Sequence, residues 1–108
     1  MDTIKNKVEE LVTAIHESAE YQSFQEAEQE VNNIPGLSDK IREFCWKNYE
    51  IQNSGAADLY EKMEDFENQY RDFRRNPVVA QYLERELRLC RMLQEISAKI
   101  TDSIELMI

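Results

Sequence analysis

Residues 76–108 read NPVVAQYLERELRLCRMLQEISAKITDSIELMI, one uninterrupted helical pattern. Asn76 suits the cap position, and Pro77 suits the first turn, where a missing N–H costs nothing. Val79, Leu83, Leu87, Cys90, Leu93, Ile96, Ile100, Ile104 and Met107 form an apolar stripe too wide and too irregular for a strict heptad seam. The helix is therefore expected to pack on more than one neighbour. At about 1.5 Å per residue it spans roughly 45 Å, whereas a compact domain of this length has a radius of gyration of about 13 Å. The fold must be elongated, or shared with another chain.

Upstream, the same periodicity recurs between short breakers. Ile4, Val8, Leu11, Val12 and Ile15 predict an amphipathic first helix ending near Glu17, with Lys5, Lys7, Glu9 and Glu10 on its wet side. Ser18 caps a second, whose face is Tyr21, Phe24, Ala27 and Val31 and which ends at Asn32, Asn33, Pro35 and Gly36. Ser38 is expected to cap a third helix, with Ile41, Phe44, Cys45 and Tyr49 on one side, reaching to about Gln52. After Asn53, Ser54 and Gly55, a fourth carries Leu59, Met63, Phe66, Tyr70 and Phe73 and closes on Arg74 and Arg75, cations at the negative end of the helix dipole. The expected fold is all-α: an elongated antiparallel bundle of about five helices with a long C-terminal helix, in a single domain over residues 1–108.

Composition agrees. Gly and Pro number two each against 32% charged residues, which favours helix over turn-rich sheet. The 42% hydrophobic content supplies a core, though only a partial one if the helices are long. The net charge of -9 is uneven, because residues 1–70 hold 16 acids and 6 bases whereas residues 71–108 hold 6 acids and 7 bases. Arg71, Arg74, Arg75, Arg85, Arg88 and Arg91 make a local basic strip that either faces a phosphate backbone or acidic partner, or simply pairs with the acidic N-terminal helices. The overall pI of about 4.6 argues against nucleic acid as the main electrostatic target.

No constellation for catalysis or cofactor binding stands out. A di-iron bundle site needs Glu-x-x-His on two helices, and His16 is the one histidine, placed at a helix end. Two separated cysteines, Cys45 and Cys90, cannot complete a tetrahedral zinc or four-thiolate site in one subunit, and their apolar settings predict buried, reduced thiols. Glycine-rich phosphate loops are absent, and a nucleophilic cysteine lacks loops in which to build an oxyanion hole. Glu84, Glu86 and Arg88 read as a solvated ion-pair face. With neither a signal segment nor a run of about 18 apolar residues, the chain is expected to be soluble and cytoplasmic, without membrane insertion. Among the aromatics, most read as core, while Trp46 lies off the Ile41, Phe44 and Tyr49 stripe and is the best candidate for an interface.

The segments His16-Glu17-Ser18-Ala19-Glu20-Tyr21, Ile41-Arg42-Glu43-Phe44, Asn76-Pro77-Val78-Val79-Ala80-Gln81-Tyr82, Glu86-Leu87-Arg88-Leu89 and Leu93-Gln94-Glu95-Ile96 resemble the YlbF/YmcA family of bacterial helical proteins over essentially the whole chain. The resemblance implies a small, self-associating, all-helical protein that acts as an adaptor and not as an enzyme. The best-known members belong to a complex linked to competence, sporulation, biofilm formation and control of RNA maturation by a membrane-bound ribonuclease. That complex is associated with iron-sulfur clusters through cysteines in a tail beyond the helical region. Here the sequence stops at Ile108 and both cysteines fall inside helices, so cluster binding is not carried over and no cofactor is expected.

The reading is thus a non-enzymatic regulatory adaptor that forms a homo-oligomer, most simply a dimer, and binds protein partners. Leu93, Ile96, Ile100, Ile104 and Met107 are the expected oligomer interface, and Trp46, Arg74, Arg75, Arg85 and Arg88 the expected partner surface. The alternative is a nucleic-acid-associated factor using the strip from Arg71 to Arg91, whose binding would weaken steeply with salt.

Overall fold

The computed structural model describes residues 2–55 and 57–104. Of these, 87% are helical, and no strand occurs among them. The helices are α1 (Asp2–His16), α2 (Ala19–Asn32), α3 (Leu37–Gln52), α4 (Leu59–Gln69), α5 (Arg71–Arg75) and α6 (Pro77–Ile104). The molecule is elongated and thin, with principal extents of 50 × 38 × 18 Å and a radius of gyration of 17.8 Å. It has little room for a central core.

Two expected helix starts hold atom for atom. The Ser18 hydroxyl accepts the Tyr21 N–H at 3.2 Å, so the α2 terminus is capped where the sequence placed it. The Asn76 side-chain oxygen accepts the Val78 N–H at 3.0 Å, and Pro77 opens α6.

Two others differ. Helix α3 begins at Leu37, one residue before the expected cap, with Gly36 at φ 79° and no side-chain cap; Ser38 instead accepts from Arg42. Gly36 reverses the chain in a left-handed conformation, so its carbonyl can accept the Lys40 N–H at 3.2 Å. The predicted fourth helix is cut at Tyr70, giving six helices where about five were expected. Spaced i, i+4 and i+7 across this break, Phe66, Tyr70 and Phe73 all reach Phe44, with ring centroids 5.2, 5.2 and 5.6 Å from it.

The core is small. Val31, Leu37, Ile41 and Val79 form one buried cluster, with Phe73, Val78, Tyr82 and Leu83 packed around it, and Phe44 and Phe66 extend the interior toward α4. Helix α2 runs antiparallel along the first half of α6, with the Phe24 and Tyr82 rings 5.5 Å apart. No cavity or clash surrounds Gly36, so Gly36→Ala isolates the backbone term: urea unfolding is expected to show a loss of about 1–2 kcal/mol, and Gly36→Asn a smaller one.

Candidate self-association surface

The stripe on α6 changes character along its length. Its first half, at Val78, Val79, Tyr82 and Leu83, is covered by the core. Beyond that, Leu87, Leu93, Ile100 and Ile104 keep 41–62% of their surface exposed, with Met92 and Ile96 half-buried between them. Of the expected interface residues, Leu93, Ile96, Ile100 and Ile104 therefore lie on one helical face that the described residues leave largely open, Ile96 alone being half-buried; Met107 lies outside the described residues.

Helix α1 is bare in the same way. It has no buried residue, its one substantial contact is with α2, and Ile4, Val8 and Val12 are 44–65% exposed. Leu11 and Ile15 are only half-buried. Periodicity puts these five on the apolar side of an amphipathic helix, and among the described residues only Leu11 and Ile15 are partly covered. The available signal was the length mismatch already evident in α6: helices too long for each other leave apolar ends at both termini.

Residues 4–105 match the family model described as control of competence regulator ComK, YlbF/YmcA. The chain belongs to the YlbF/YmcA family. It is similar to a UPF0342 protein of Desulfitobacterium hafniense, 30% identical over 105 residues that cover 94% of this chain and 85% of the relative. It is likewise similar to a UPF0342 protein of Caldicellulosiruptor bescii, 29% identical over 103 residues covering 89% and 83%. No solved structure matches the chain. The YlbF/YmcA match runs from Ile4 at the start of α1 to the end of α6, so both bare stripes lie within the family's own extent.

The other surface expected of this YlbF/YmcA chain centres on Trp46. Its indole is exposed and stacks on Tyr49 at 5.7 Å, the pair bordering a shallow hollow with Ile41, Cys45, Tyr82 and Glu86. Tyr49, read from the sequence as core-facing, is exposed as well. Desolvation, aided by Glu86, pushes the Tyr82 hydroxyl up to about 12, so it stays protonated throughout the physiological range.

Cys45 and Cys90 correct the sequence reading: both thiols are free, but both are exposed rather than buried. The two line one open hollow of ≈ 410 Å³ together with Phe44, Met63 and Leu87. Apolar neighbours in sequence imply burial only where helices close over them, and among the described residues α3, α4 and α6 leave this hollow open. Among the described residues no group of three or more His, Cys, Asp or Glu is placed to hold a metal ion. His16 closes α1, its ring 4.8 Å from that of Tyr21. Partial desolvation, and secondarily the Glu86 carboxylate, raise the Cys45 thiol above its ordinary value. In a Cys90→Ser background, Cys45 should alkylate more slowly at pH 8 than in the urea-unfolded chain, recovering as pH rises through the shifted value. Glu86→Gln should restore part of the rate and leave the larger desolvation effect; pH profiles of iodoacetamide labelling read both.

The arginines do not form one free strip. Arg85 donates to the Ser23 carbonyl at 3.1 Å and lies 3.8 Å from Glu26, so it fastens α6 to the acidic α2. Arg88 pairs with Glu84 on its own helix at 2.9 Å. Arg74 sits over the Phe44 ring at 5.8 Å and Arg71 bonds Asn68, while Arg71, Arg74 and Arg75 border a shallow hollow beside Glu67. Lys47, held protonated by Glu43 and the Tyr70 hydroxyl, lies 5.6 Å from the Tyr70 ring centroid. No described helix is long and apolar enough to cross a membrane.

Proposed function

We propose that the protein is a non-enzymatic regulatory adaptor of the bacterial cytoplasm that self-associates, as a homodimer or a higher even oligomer, through the distal half of α6. The observation that carries this reading is the run Leu93, Ile96, Ile100 and Ile104, an apolar face left largely exposed by the described residues. Each large aliphatic side chain removed from water contributes about 1.5–3 kcal/mol, and two-fold assembly doubles every contact. Membership in a family named for control of a competence regulator supports the regulatory role. Residues 1–108 act as one unit in this reading. The Trp46 and Tyr49 pair on α3 and, separately, Arg74 and Arg75 on α5 supply surfaces for protein partners, because exposed aromatics and arginines dominate interface energetics. Arg85 and Arg88 contribute less, being engaged with Glu26 and Glu84.

Sedimentation velocity over a range of concentrations tests the proposal. A species of twice the 12.8 kDa chain mass, or an even multiple, is expected and should persist as salt rises, since the contact is apolar. A protein that remains monomeric at about 100 micromolar, far above the micromolar constants of ordinary stable interfaces, overturns it.

A further inference from the structure

We infer that in the self-associated protein α1 of one copy lies antiparallel on the distal half of α6 of the other, and reciprocally. This deepens the self-association reading and rests on it. The first argument is register. Within the chain, α2 meets α6 with Phe24 against Tyr82 and Ser23 against Arg85. Extending that antiparallel register past the end of α2 sets Ile15 of α1 opposite Leu93, Leu11 opposite Ile96, Val8 opposite Ile100 and Ile4 opposite Ile104. Apolar residue meets apolar residue at every step, because both stripes cover the same eleven-residue interval in steps of three and four. The uncovered half of α6 thus asks for a helix of α1's pattern and length.

The second argument is that the chain's own α1 does not fill the place. Its joint to α2 is fastened. The Ser18 N–H and hydroxyl both donate to the Ile15 carbonyl, at 3.0 and 2.6 Å, and the Glu17 N–H donates to Thr13. The Gln22 side-chain amide donates to the His16 carbonyl at 2.7 Å, and the His16 and Tyr21 rings meet across the bend. These ties hold α1 off the α6 line, as the exposure of Ile4, Val8 and Val12 records. A second copy related by a two-fold axis can bring its own α1 to the vacant stripe with every tie intact. Reciprocal exchange buries both stripes of both chains, on the order of 1,000 Å², which reaches the lower bound for a stable interface.

The test uses the full chain in a Cys45→Ser, Cys90→Ser background, first shown to sediment like the wild type. One chain carries Val8→Cys and an affinity tag; an untagged chain carries Ile100→Cys. Both sites are exposed in the single chain, so neither change disturbs its core. After the two are refolded together and mildly oxidised, the tagged chain should capture its partner as a mixed disulfide, since only facing positions meet the geometric limits of that bond. Val8→Cys with Leu93→Cys, about two turns out of register, should yield at least tenfold less. Chains carrying only Ile100→Cys should likewise link to each other at least tenfold less. A dimer without the mixed disulfide, or one in which Ile100→Cys chains link to each other as readily, overturns α1 exchange while leaving self-association standing. In a further chain carrying both Val8→Cys and Ile100→Cys, a disulfide that forms only within single chains overturns it too. Monomeric sedimentation of the wild type overturns both readings at once.

Discussion

Phe44→Ala is expected to destabilise the protein by about 3–5 kcal/mol, the largest loss available from a single truncation here. Phe44 is buried at the point where α3, α4 and α5 converge, touching the rings of Phe66, Tyr70 and Phe73 and lying under the Arg74 guanidinium. Removing the ring deletes its own transfer free energy and leaves a void that three aromatic neighbours are too stiff to fill. Small domains have only about 5–15 kcal/mol in hand, so the variant should lose a large fraction of its stability. Urea titration followed by helical circular dichroism, at matched protein concentration because assembly shifts apparent stability, gives the number. Phe44→Leu, which keeps most of the volume, should lose less than half as much. A loss below about 1 kcal/mol for Phe44→Ala would place the stability of the chain elsewhere, in the Val31, Leu37, Ile41 and Val79 cluster.

That aromatic hub marks the boundary of what the sequence discloses. The helices themselves are legible because their punctuation is local: Ser18, Asn76 with Pro77, and the Asn53 to Gly55 breaker each act within a few residues, and the structure ends and starts helices beside all of them. The break at Tyr70 is not legible, since nothing in the residues from Leu59 to Phe73 forbids a continuous helix. The break coincides with the packing of the Tyr70 ring against Phe44, more than twenty residues upstream. The same limit explains the cysteines and Tyr49. Periodicity tells which residues share a face of α3 or α6, but whether that face meets a neighbour depends on how the helices are arranged in space. Cys45, Cys90 and Tyr49 border open hollows between helices and stay exposed. For the candidate interface the sequence discloses half: the length of the C-terminal stripe marks it as hard to cover, whereas amphipathic spacing in α1 does not tell whether its apolar side is covered, and both stripes are largely exposed.

Ile100→Asp combined with Ile104→Asp is expected to dissociate the assembly while leaving each subunit helical. In the single chain both side chains are at least half exposed, so the core formed by Val31, Leu37, Ile41, Phe44 and Val79 does not depend on them. In the proposed assembly they are buried, and losing two aliphatic contacts per chain removes at least about 3 kcal/mol, a factor of roughly a hundred in the dissociation constant. The cost of burying carboxylates without partners adds to this. Sedimentation should therefore give a mass near 12.8 kDa at concentrations where the wild type is fully associated, with an unchanged far-ultraviolet spectrum. Ala98→Asp, on the opposite side of α6 from Ile96 and Ile100, puts one charge on the same stretch of helix and should leave the mass unaltered. If the double variant keeps the wild-type mass, the contact between copies lies away from the distal stripe. If it loses helicity along with mass, the end of α6 is not an independent helix but one that exists only when a partner covers it, and folding and assembly are then a single step.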